Sequence, residues 1–202
     1  MKLYYKAGAC SLASHIALRE AGFAPEIEAV DLPTHRTAGG ADYYAINPKG
    51  YIPALVLDGG EVLTEGVAIM QYVADQKPEA GLAPPAGTLG RARLQEALNF
   101  IATELHKSYS PLFNPATDAA GKERALAHLK RRLDLTESFL ADGRDFLLGA
   151  DFSVADGYLF TVLGWAGHVG LDLAAWPKLS ALRARVAARP AVQATLKAEG
   201  VV

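Results

Sequence analysis

The chain has 202 residues, half of them hydrophobic, and a formal net charge of -2 at pH 7. That composition supplies a sizeable core, argues against disorder, and offers no basic face to a nucleic acid. The apolar runs are too short or too interrupted to span a bilayer, and the first residues lack a signal-peptide hydrophobic region, so a cytoplasmic protein without a membrane partner is expected. A lone cysteine, Cys10, rules out an intramolecular disulfide and a cysteine-rich metal site, and no metal is expected.

Residues 2–6 alternate as a strand, with Leu3 and Tyr5 on one face, and Ala7, Gly8 and Ala9 supply a turn. From Ser11 the positions Leu12, Ile16 and Ala17 recur at helical spacing, and Gly22 is the stop signal. A second strand is expected over 26–32, and 34–47 reads as a polar loop with a short helix. Residues 53–57 and 61–63 flank Asp58-Gly59-Gly60, which is a hairpin signal, and 67–74 has a helical apolar pattern. The order βαβαββα therefore fills 1–76. The stretch 77–88, with Pro78, Gly81, Pro84, Pro85 and Gly87, reads as a linker.

Only helices are expected over 89–202. Leu94, Leu98, Ile101 and Leu105 form one apolar stripe, and Leu126, Leu129, Leu133 and Leu140 form a second. Residues 154–169 are apolar nearly all round, which suits a central buried helix. A further helix over 179–188 stops near Pro190, and a short one follows. The fold class is α/β plus all-α: a small mixed-sheet domain followed by a helical bundle.

Several positions can carry chemistry. Cys10 lies between a strand and a helix, where unpaired N–H groups favour a thiolate. The tetrad Cys10-Ser11-Leu12-Ala13 lacks a second thiol, so any redox cycle needs one from outside. Pro53 is either an ordinary strand-start proline or, if the Ile52–Pro53 bond is cis, the device that turns the Ile52 backbone outward to pair with an extended peptide. Thr64, Glu65 and Gly66 sit at a strand-to-helix junction. They form either a plain cap or a seat for a ligand bearing an amine and a carboxylate. Arg91, Gln95, Asn99, Thr103 and His106 share one sector of a helix, as a solvated face or as a set that fixes a polar ligand. Ser153 and Asp156 have capping-box spacing.

Taken together, the stretches MKLYYKAGACSLASHIALRE, DYYAINPKGYIPAL, LTEGVAIMQYVAD, LNFIATELHK and FSVADGYLFTVL resemble the glutathione transferase superfamily, and most closely its bacterial beta class. The resemblance implies a thioredoxin-like domain over 1–76, a linker over 77–88 and, over 89–202, a helical domain that lines the electrophile site. It implies glutathione as co-substrate and a detoxifying homodimer acting on small electrophiles. Cys10 would face the glutathione sulfur and His106 would stand beside it as the second catalytic group. Tyr5, Ser11, His35, Ile52, Pro53, Glu65, Gly66, Asn99, Thr103, Glu104 and Lys107 would bind the tripeptide, with Asn99 and Thr103 reaching it from a neighbouring subunit. The alternative is a non-catalytic protein that binds glutathione and apolar ligands. Two departures stand out. His35 takes the place of a lysine that contacts the glycyl carboxylate. Gly157, four residues after Ser153, cannot pack against Phe152 as a hydrophobic staple.

Overall fold

The computed structural model describes residues 1–201. They form two compact units: Met1–Ala83 joined by the stretch from Ala188 onward, and Pro84–Ala187.

The first unit is built on a five-stranded sheet of β1 (Lys2–Tyr5), β2 (Glu26–Asp31), β3 (Arg36–Thr37), β4 (Ala54–Val56) and β5 (Val62–Thr64), in the order β3-β2-β1-β4-β5. Strand β1 is central. It runs parallel to β2, with Leu3 opposite Ile27, and antiparallel to β4, with Leu3 opposite Leu55. Alternation along β1 sends Leu3 and Tyr4 to opposite faces, and both are buried. Lys2 pins the register at one edge of β1, bonding Glu26 at 2.9 Å and Glu28 at 2.6 Å. The Glu28 carboxyl is consequently held down at about 2, first by Lys2 and then by Thr37.

Helix α1 (Ser11–Glu20) is buried on every side from Ser11 to Leu18. Helix α2 (Gly66–Gln76) and the later helix α8 (Pro190–Glu199) both pack on it, so it has no polar face to show. Gly22, at φ 80, closes α1 by letting Phe23 N donate back to Leu18 O at 2.9 Å. The expected polar loop over 34–47 holds the short β3 and a single 3-10 turn, Tyr43–Ala45, which stands where a second helix was anticipated.

The second unit contains α3 (Leu89–Phe100), a π-helical stretch (Ile101–His106), α4 (Lys107–Phe113), α5 (Ala119–Ser138), α6 (Val154–Leu163) and α7 (Pro177–Ala187). Every residue of α6 is buried, as its apolar sequence dictates. The helix is shorter than expected, however: it stops at Gly164, and Ala166–Val169 is a separate 3-10 turn. Asp156 is tolerated inside α6 because it accepts from Ser153 N at 2.9 Å, Ser153 Oγ at 2.8 Å and Leu147 N at 2.8 Å. Phe152 does not need the missing staple partner; it packs edge-on against Phe146, 5.8 Å between ring centres. The start of α7 is capped from another helix, Glu137 of α5 accepting from the Lys178 and Leu179 amides, each at 2.9 Å.

One boundary differs from the sequence reading. That reading placed everything from 89 onward in the helical domain, whereas α8 returns to the first unit and packs on α1. Arg189 makes the return specific by forking onto Glu20, with bonds of 2.6 and 2.8 Å.

Candidate functional site

In the first unit the link between β1 and α1 is drawn tight by Ser11. Its hydroxyl accepts from Lys6 N at 3.1 Å and donates to Lys6 O at 3.2 Å, and the side chain is fully buried. This hydroxyl, expected beside a ligand, is committed to the turn. Its neighbour Cys10 is thereby placed at the N-terminus of α1, where its side chain makes no capping bond. The thiol Sγ instead donates to the Ile52 carbonyl at 3.4 Å. Cys10 is half-buried against a cluster formed by Tyr4, Val30, Tyr43, Ile52 and Ala54.

The Ile52–Pro53 bond is cis, the condition on which the peptide-pairing reading of that proline depends. The loop leading to it is braced at the Tyr51 carbonyl, which accepts from Tyr43 Oη at 2.8 Å and Asn47 Nδ2 at 2.6 Å. Gly66 lies directly over this element. A Cβ placed there would stand 3.6 Å from Ser14 Oγ and 3.7 Å from Pro53 Cγ, so the N-terminus of α2 abuts both α1 and the cis proline. Cys10, Ile52, Pro53, Gly66 and Glu65 thus form a contiguous set.

Glu65 has φ 68, a left-handed conformation that a glutamate adopts only at a cost of about 1–3 kcal/mol. Its side chain is exposed and makes no cap to α2; Oε1 accepts from Lys49 Nζ at 2.8 Å, and the same ammonium donates to Thr64 Oγ1 at 3.0 Å. Among the described residues His35 is the other non-glycine residue with a left-handed backbone, at φ 51. Its ring lies tilted against that of Tyr44 with centres 4.3 Å apart, and its Nδ1 is buried without a partner among the described residues. Gly50 is required beside them: its φ is 70, and a Cβ would fall 2.7 Å from Tyr44 Cε1 and 3.0 Å from His35 Cε1. Lys49 was not anticipated from sequence; the signal available was a cation one residue before an obligatory glycine. Tyr5 keeps different company. Its ring centre is 6.4 Å from that of His15, and burial, followed by the charge of Glu199, raises its phenol.

In the second unit the polar stripe continues from α3 into the π-helical stretch, whose wider turn was not legible from helical spacing. Asn99 and Thr103 are exposed, and Thr103 Oγ1 donates to Asn99 O at 3.0 Å. Glu104 pairs with Arg132 at 3.2 Å, and Lys107 is exposed. Arg91 leaves the stripe: it is buried and its Nε donates to Pro84 O at 2.8 Å. His106 Nδ1 lies 2.7 Å from the Tyr158 hydroxyl, and its ring meets Trp165 edge-on, 5.0 Å between centres. Burial, with the Lys107 charge adding, pushes its pKa down to about 4, so the imidazole is neutral near pH 7. Trp165 also receives Tyr109 at 5.4 Å and Phe113 at 6.1 Å, which completes an aromatic setting around the histidine.

The first unit therefore offers a thiol at a helix N-terminus, a cis-proline corner and an exposed carboxylate in a forced conformation. The second offers a neutral imidazole among aromatic rings. Residues 7–76 match the glutathione S-transferase N-terminal domain and residues 100–190 the C-terminal domain. The chain is 49% identical to glutathione S-transferase GstA of Escherichia coli O157:H7, with 100% of both chains covered. The chain belongs to the glutathione S-transferase family.

Solved structures of this family place the fold within it closely. A sphingomonad glutathione S-transferase complexed with glutathione is 50% identical, superposes with a TM-score of 0.96 and is covered over 100% of both chains. The beta class glutathione S-transferase of Sphingomonas chungbukensis gives the same identity, TM-score and coverage. Among the described residues no group of three or more His, Cys, Asp and Glu could hold a metal ion, and no helix is long and apolar enough to cross a membrane.

Proposed function

We propose that this chain is a beta-class glutathione transferase that joins the glutathione sulfur to small, apolar, electrophilic molecules. The observation that carries the reading is the contiguous set of Cys10, Ile52, cis Pro53, Gly66 and Glu65 in the first unit. A strained non-glycine residue at a helix start is retained where a ligand uses it, and Glu65 presents its exposed carboxylate there.

Glutathione would lie extended across this set. The backbone of Ile52 would pair with its cysteinyl residue as a sheet edge pairs with a strand. The γ-glutamyl carboxylate would meet the amide of Gly66 and the positive end of α2, and its amine would meet Glu65. His35 would take the glycyl carboxylate. Asn99, Thr103, Glu104 and Lys107 add polar contacts, Asn99 and Thr103 reaching the γ-glutamyl end held by a second copy in a homodimer.

The glutathione S–H gives up its proton to solvent water, and the thiolate attacks the electrophilic carbon. A C–S bond forms as the leaving group departs with its electron pair. The α1 N-terminus beside Cys10 favours the thiolate. Neutral His106 accepts or donates a hydrogen bond without adding a cation. The same arrangement suits thiol exchange: the Cys10 thiolate attacks the glutathionyl sulfur of a mixed disulfide, an S–S bond forms, and the other thiolate leaves. The proposal includes a cytoplasmic, detoxifying role. Simple sequestration of ligands leaves the retained thiol and neutral imidazole without a task.

The deciding experiment pairs intact mass after incubation with oxidised glutathione and turnover of a chloronitroarene with glutathione. A reductant-sensitive gain of one glutathione on Cys10, together with turnover that falls in Cys10→Ala, is expected. Unchanged turnover in Cys10→Ala removes the cysteine from conjugation, and no turnover in the unaltered protein removes the transferase reading.

A further inference from the structure

The turn that carries Cys10 is held from the far end of the fold. Glu199, on α8, has a fully buried side chain. Its Oε2 accepts from the Gly8 amide at 3.1 Å, two residues before Cys10, and its Oε1 lies 3.0 Å from His15 Nδ1 on α1. Arg19 Nε donates to His15 Nε2 at 3.1 Å. A guanidinium only donates, so Nε2 is an acceptor and the ring proton sits on Nδ1, aimed at Glu199. Both carboxylate oxygens are therefore acceptors, one for the helix and one for the turn. The titratable groups around this carboxylate are His15 and Arg19 from α1 and Tyr5 from β1.

A second feature separates this contact from the mere attachment of α8. That helix also has its own fastening to α1, the Arg189–Glu20 fork, which bonds a different residue of α1 from the one Glu199 meets. Gly8 itself has φ 68, so the direction of its amide is set by a conformation other residues resist. Ser11 pins the other end of the turn at Lys6. Between these two anchors the position of Cys10 above the Ile52 carbonyl is determined.

We propose that Glu199 is a positioning residue for Cys10, bridging His15 of α1 to the Gly8 amide so that the thiol is presented at a fixed height over Ile52. The inference rests on the reading of Cys10 as the reacting thiol. Glu199→Gln retains the shape but offers one acceptor to two donors. The readouts are the rate of Cys10 alkylation by iodoacetamide across the pH range, and kcat and KM for glutathione, under conditions where circular dichroism shows the variants folded. In Glu199→Gln, alkylation and kcat fall about tenfold while KM stays within about twofold. Arg189→Ala lowers Tm yet keeps both rates. Wild-type rates in Glu199→Gln, or an equal fall in Arg189→Ala, overturn the proposal. Should Glu199→Gln not fold, amide exchange in the unaltered protein decides: Gly8 exchanges as slowly as the α8 amides, and rapid exchange there overturns the bridge. Alkylation needs no glutathione, so Glu199-dependent alkylation in a protein that fails to turn over glutathione supports the bridge and sinks only the transferase reading.

Discussion

The two units present their functional groups in different ways. In the first, the work is done by backbone: a cis peptide at Ile52–Pro53, a left-handed Glu65 and a helix start at Cys10. In the second, it is done by packing, with His106 held neutral by the rings of Tyr158 and Trp165. A backbone-built site recognises another backbone through directed hydrogen bonds, which suits one invariant peptide. A group held by packing depends instead on the side chains that bury it, here Tyr158 and Trp165.

The contrast can be broken most forcefully in the second unit's core. Leu159→Ala, at a fully buried position of α6, is expected to cost about 2–5 kcal/mol, read by urea unfolding, because α6 is enclosed on all sides. Glu65→Ala tests the other half. The exposed carboxylate supports little structure, so KM for glutathione should rise about tenfold while Tm hardly moves. If Tm collapses instead, Glu65 is structural and the contrast fails. A smaller effect concerns pH. The folded pKa of His106, about 4, lies below its ordinary 6.5 because burial excludes the cation. As pH falls from 6.5 toward 4, the unfolded chain takes up a proton that the folded chain refuses, so this contribution to stability, complete above 6.5, is lost across that window. Tm should decline there, and His106→Asn should flatten that part of the decline. Smallest of all, Lys49→Met removes an exposed ion pair and should change unfolding free energy by less than about 0.5 kcal/mol.

Much of the architecture is local and therefore readable. The strand, turn and helix around Cys10, the Asp58–Gly60 hairpin and the Ser153–Asp156 spacing each declare themselves within a few residues. The left-handed Glu65 and His35 do not: Glu65 is not of a residue type that favours that region, and histidine, though it tolerates it, takes it up only where its surroundings demand. The π-helical stretch carries the same residue types as an α-helix, so Ile101–His106 hides within the expected stripe. Lys49 finds Glu65 from the loop before β4, and α8 finds α1 from far along the chain; such meetings leave no periodic trace. Among the candidate residues, Cys10, Ile52, Pro53, Glu65 and Gly66 are brought together. Ser11 is diverted to the turn, and Tyr5 lies with His15.

The return of α8 also sets a timetable. A ribosome completes the sheet, α1 and α2, then the whole of Pro84–Ala187, before it makes the helix that finishes the first unit. Domains that emerge early usually fold early. Here the nascent sheet must wait, with His15 and the Gly8 amide lacking their carboxylate, while an entire helical unit is synthesised. Ser11 can pin its end of the Cys10 turn early, but the Glu199 anchor is made only after the whole of Pro84–Ala187, so on the proposal above the thiol takes up its final position late.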